Sequence, residues 1–79
     1  MPGVKIGPYY IHFYEYDLIE RPHIHVQREN RQTKFWLTPT IELYRNQGFA
    51  QHELGKIERL LSKNRTRLLR MWEEETKKR

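Results

Sequence analysis

The sequence predicts an α+β domain: an antiparallel sheet of three or four strands, followed by two helices packed on one of its faces. Three observations carry this. Aromatic and β-branched residues alternate with polar ones through much of residues 9–38, the period of half-buried strands. From Gln51 onward the apolar residues recur at helical spacing instead. Between the two regimes Pro39, Asn46 and Gly48 break the chain.

Taken in order, Lys5-Ile6 can start the sheet as a short strand paired with the segment after it. Tyr9 to Tyr16 holds five aromatics in eight residues between Gly7-Pro8 and Asp17, which reads as a strand. Pro22 to Gln27 is the next, with proline tolerable at a strand's first position. Arg28 to Gln32 is polar and reads as a turn, and Thr33 to Thr38 as the strand that returns from it. Pro39 ends the sheet region. Ile41 to Arg45 fits either one or two helical turns or a short strand. Leu54, Ile57, Leu61, Leu68 and Trp72 then form the stripe of an amphipathic helix. Asn64 falls where that stripe needs an apolar residue and can cap a second helix. Two helices are expected, over about 51–62 and 65–77. Residues 1–79 read as one domain, with the sheet in 5–38, the helical region in 51–77 and a short basic tail.

Size and composition narrow the function. A chain of 79 residues leaves no room for a two-domain enzyme or a large enclosed cofactor pocket. Cysteine is absent, so disulfides, thiol nucleophiles and thiolate metal sites are excluded. No apolar run is long enough to span a bilayer, and Met1 to Ile6 lacks the apolar core of a secretory leader. A cytoplasmic protein without a membrane partner is the expectation. The net charge of +5 is uneven. Residues 1–55 carry six basic and six acidic side chains, whereas residues 56–79 carry nine against four. A basic segment attracts polyanions, nucleic acid first, although many basic helix faces are merely solvated.

Strand parity sorts the side chains into two faces. Tyr9, Ile11, Phe13, Ile24, Val26, Phe35 and Leu37 share the side expected to meet the helices, since any other register would expose them. The opposite face then collects Tyr10, His12, Tyr14, Tyr16, His23, His25, Lys34 and Trp36. It holds three of the four histidines; the fourth, His52, reads as an ordinary surface residue of the first helix.

Four chemistries suit such a face. Histidine can act as general base and general acid near neutral pH, and a lysine beside it can stabilise charge developing on phosphorus. His23, His25 and Lys34 are therefore the candidate catalytic set for cutting RNA through its own 2′-hydroxyl. Alternate histidines lie ~7 Å apart along a strand, and a cross-strand lysine approaches to ~5 Å. Alternatively, Tyr10, Tyr14 and Trp36 can stack on bases while Lys34 meets phosphate, with His12 and, from the basic region, Arg65 and Arg67 adding to nucleic-acid binding. Third, the face can be packing surface for a partner protein. Fourth, His-x-His can chelate a metal, with His12 as a third ligand. Lys34 opposes that last reading by repelling a cation, so no metal or other cofactor is expected.

The run Arg21-Pro22-His23-Ile24-His25-Val26, followed by Thr33-Lys34-Phe35-Trp36-Leu37, resembles a small bacterial family, domain of unknown function 4160. Its later motifs correspond to Gly48-Phe49, to Glu53-Leu54-Gly55-Lys56-Ile57, and to Asn64 through Trp72. The resemblance covers about Ile6 to Glu74. Two residues depart from it: Arg21 stands where many members have proline, and Ala50 where serine or threonine would cap the helix. The resemblance implies the fold, the His-x-His strand, and membership of a toxin–antitoxin-type gene pair. The expected function is accordingly a toxin-like protein acting on RNA, with RNA and a small antitoxin-type protein as partners and homo-oligomerisation left open. The alternatives are a non-catalytic antitoxin or binding module and, third, a metal-binding protein.

Overall fold

A computed structural model describes residues 3–13 and 21–77. Its elements are β1 (Gly3–Ile6), β2 (Tyr9–His12), β3 (His23–Arg28), β4 (Arg31–Trp36), β5 (Glu42–Gln47), α1 (Gln51–Lys63) and α2 (Arg65–Lys77). Each strand pairs antiparallel with the next, giving a five-stranded meander in chain order. The α+β class is as the sequence predicts, but the sheet has five strands rather than three or four. The difference lies in β5, whose span the sequence left open between helical turns and a short strand. As a six-residue strand it pairs with backbone groups on the far side of β4. One or two helical turns there would leave those groups without a ladder.

Three turns use left-handed backbone, and Gly7, at φ 59°, carries the one between β1 and β2. Glu29, at φ 56°, carries the tight reversal between β3 and β4. Gly48, at φ 103°, turns β5 into α1, and a Cβ at that position would lie 2.9 Å from Arg31 Cγ. Conformation and space both require glycine there.

The core forms where parity places it. Tyr9, Ile11, Phe13, Ile24, Val26, Phe35 and Leu37 are all buried, against Leu54, Ile57, Leu61, Leu68 and Trp72 from the helices. The second helix begins at Arg65, as expected, yet the Asn64 side chain does a different job from the one predicted. The Asn64 backbone carbonyl accepts the first bond of α2, from the Leu68 N–H at 2.9 Å, while its side-chain Nδ2 donates to the Leu60 carbonyl at 2.8 Å and closes the end of α1. The start of α1 has no side-chain cap, as Ala50 implies. Asn46 instead braces the preceding turn, accepting from the Phe49 N–H at 3.1 Å and donating to the Phe49 carbonyl at 3.0 Å.

Glu53, in the first turn of α1, ties the helix layer to the sheet. It accepts hydrogen bonds from the Tyr9 hydroxyl at 2.9 Å, Arg28 at 2.8 Å and Arg31 at 3.2 Å. The Tyr9 bond and the two guanidinium groups hold its carboxyl below the usual range. Burial, reinforced by the carboxylate, pushes the Tyr9 phenol up.

Candidate functional site

The register assembles one row of side chains across four strands. His12 of β2 stands opposite His25 of β3, His25 opposite Lys34 of β4, and Lys34 opposite Arg45 of β5. A second row begins with His23 opposite Trp36 and continues to Glu42. By parity these residues lie on the face opposite Ile24, Val26 and Phe35, which are in the core, although His23 at its end also meets Trp72 of α2. The row itself contains no carboxylate.

Parity does not set exposure, and here the structure departs from the even outer face the sequence implies. His25, Lys34 and Trp36 are half-buried, but His23 is 0% exposed and His12 only 4%. The His12 ring is stacked between Tyr10 at 4.9 Å and His25 at 5.4 Å. The His23 ring sits among His25 at 5.5 Å, Trp36 at 5.6 Å and Trp72 of α2 at 5.4 Å. Its Nδ1 lies 2.8 Å from the Arg21 carbonyl oxygen, and since a carbonyl can only accept, that nitrogen carries the hydrogen. Of the expected catalytic set, therefore, His25 and Lys34 reach the surface together. His23 lies behind them as a packed ring.

Beside His25 and Lys34 opens a cleft of about 160 Å³, lined also by Gln32, Thr33, Arg45 and Gln47. Gln32 follows from the same parity as Lys34 and Trp36. Arg45 and Gln47 reach the site only because β5 is a strand, so their contribution was hidden with it. Tyr44 was hidden too. A register shift between Lys34 and Phe35 makes Tyr44 the extra residue of a bulge, and its ring comes 4.6 Å from Trp36 and 4.7 Å from the Lys34 ammonium. Arg21 covers Trp36 at 4.4 Å. The result is a cationic cleft bordered by aromatic rings.

The remaining sequence candidates are dispersed. Tyr10 is exposed at the far end of the ring stack. Tyr14 and Tyr16 lie outside the described residues. Arg65 donates to the carbonyls of Leu37 at 2.8 Å and Pro39 at 3.0 Å, which anchors the start of α2 to the loop after β4. Arg67 is exposed on α2. Because the helices cover the inner face, these two arginines belong to a different layer from the cleft. Among the described residues no three His, Cys, Asp or Glu side chains group to hold a metal ion, and no helix is long and apolar enough to cross a membrane.

Residues 9–73 match the model of a family described as a domain of unknown function, DUF4160. No curated protein and no solved structure matches the chain.

Proposed function

The chain belongs to the DUF4160 family, and on that premise we propose that it acts on RNA, holding a single strand along the outer face of its sheet. The observation that carries this reading is the row His25–Lys34–Arg45, contributed by three adjacent strands with Trp36 and Tyr44 beside it. Two permanent cations and an imidazole can take one phosphate, while an exposed phenol ring offers a base a flat partner. A sheet face presents such groups to an unpaired strand more readily than to a duplex, whose bases are already stacked.

Cleavage is the stronger form of this reading, and it rests on His25, the accessible histidine of β3. In that reaction His25 takes the proton of the 2′-hydroxyl, whose oxygen attacks phosphorus. The bond to the 5′-oxygen breaks, and the departing oxygen is protonated from solvent. The products are a 2′,3′-cyclic phosphate and a 5′-hydroxyl. Lys34 and Arg45 offset the charge on the non-bridging oxygens. A protein that holds or cuts RNA in this way is toxin-like when made without its partner, and an antitoxin-type protein covering the same face would silence it.

The test is anisotropy of a labelled single-stranded RNA together with gel analysis of its integrity, for the parent, His25→Ala and Lys34→Ala. Weaker binding by both folded variants supports the site. Loss of cyclic-phosphate product in His25→Ala adds catalysis to it. Variants that bind RNA as the parent does would reduce this face to packing surface.

A further inference from the structure

β5 ends the sheet, pairs with β4 alone among the described strands, and has all six residues exposed. Edge strands are ordinarily blunted by shortness, charged side chains (lysine above all), proline or bulges. The opposite edge, β1, follows that rule: it has four residues and carries Lys5. β5 is longer and contains neither lysine nor proline; its protection against a plain strand is the bulge at Tyr44 and the opposite charges Glu42 and Arg45, and it exposes Leu43 by 47% and Tyr44 by 50%.

Its charges are placed for a specific partner. Glu42 and Arg45 are three residues apart, so in a regular strand they would point to opposite faces. The bulge at Tyr44 cancels that difference: Arg45 stands opposite Lys34 and Glu42 opposite Trp36, both on the outer face. We propose that β5 pairs antiparallel with β5 of a second copy of this chain, setting Glu42 of each protomer against Arg45 of the other. In that register Leu43, opposite Phe35 on the helix side, and Tyr44, against Trp36 on the outer side, both lie at the seam, on opposite faces of the sheet.

The bulge also explains why the partner is a second copy rather than an arbitrary strand. An irregular edge fits a plain strand poorly, but two copies carry the same irregularity, and the two-fold axis brings the bulges together. Glu42 can exchange into the pairing, since its carboxylate has only long contacts at the exposed surface, from the Thr40 hydroxyl at 3.4 Å and from Arg21 at 4.0 Å. With the axis perpendicular to the sheet, the two outer faces join on one side of a continuous ten-stranded sheet. Arg45 then lies at the seam. A guanidinium has enough donors to hold the partner's carboxylate on one edge and a phosphate oxygen on the other.

Sedimentation velocity of the full chain over a concentration series, without RNA, tests this. The parent should show a monomer–dimer equilibrium. Glu42→Arg and Arg45→Glu should each weaken it by about tenfold or more, because each sets like charges opposite one another. The double reversal, E42R with R45E, should restore it. A parent that stays monomeric, or a dimer indifferent to the single reversals, overturns the proposal. If circular dichroism shows a variant unfolded, hydrogen exchange of the parent decides: protection of amides 42–47 that grows with concentration supports the pairing, and unchanged exchange overturns it. RNA binding is read separately on His25→Ala and Lys34→Ala, so failure of the dimer and failure of the RNA site are distinguishable.

Discussion

His25 and Lys34 stand directly opposite each other on β3 and β4, both half-buried on the outer face, while Ile24, Val26 and Phe35 beside them are fully buried. A hairpin with a two-residue turn enforces that pairing. The imidazole and the ammonium are neighbours because a one-residue slip would put Phe35 in water and Lys34 in the core.

If a phosphate sits at this pair, the affinity for single-stranded RNA should fall as salt rises. Each phosphate neutralised contributes about −0.7 to the slope of log K against log salt for a single strand. Lys34→Ala should lower both the affinity and the steepness, by roughly one contact's worth. Anisotropy titrations at several salt concentrations measure this, and an unchanged slope would place the phosphate elsewhere.

His23 should behave differently from His25. Its ring is 0% exposed and packed against Trp36 and Trp72, so His23→Ala leaves a cavity between the sheet and α2. Thermal denaturation should show a clear loss of stability, on the order of 2 kcal/mol. His25→Ala, at a half-buried site, should lose much less. A His23→Ala protein as stable as the parent but selectively deficient on RNA would return His23 to the chemistry.

Glu53 should make stability depend on pH in the acid range. Its native carboxyl titrates below the ordinary value of 4.5, mainly because the Tyr9 hydroxyl donates to the ionised form, with Arg28 and Arg31 adding to it. A lowered native value means the folded state binds the proton less readily than the unfolded state does. The stabilisation is therefore complete above about 4.5 and fades as the pH falls through the lower native value. Denaturation midpoints measured from neutral pH downward should decline more steeply for the parent than for Glu53→Gln. Parallel curves would contradict this role.

The stripe on the helices should account for a large share of folding. Leu61 is fully buried between α1 and the sheet, and Leu61→Ala should cost ~2–5 kcal/mol, much of what so small a domain has. Urea denaturation measures it. A cost near zero would mean that α1 does not pack on the sheet through this residue.

What the sequence by itself determined is what local periodicity controls. Period two placed Tyr9, Ile11, Phe13, Ile24, Val26, Phe35 and Leu37 on the inner side, where they are buried, because a strand has only two sides and one had to be apolar; it did not show that Arg28, Arg31 and Gln32, read as a turn, extend the strands, nor that Thr33 is buried with them. The spacing Leu54–Ile57–Leu61 and Leu68–Trp72 likewise determined the helices, since one stripe of each must be covered. The proximity of His25 to Lys34 followed from the same rule and a short turn.

Tertiary structure decided the rest, because it depends on what approaches from outside an element. Ile41 to Arg45 has no strong period, so only the free edge of β4 made it a strand and brought Tyr44, Arg45 and Gln47 to the cleft. Parity placed His23 and His25 on the same side, but Trp72 arrives from α2, a distant part of the chain, and buries one while leaving the other accessible. Glu53 looked like an ordinary acidic residue of a first helical turn. Its role appears only when Tyr9, Arg28 and Arg31, from three strands, converge on it. Parity is a property of neighbours along the chain, whereas burial and charge pairing belong to residues that meet only in the fold.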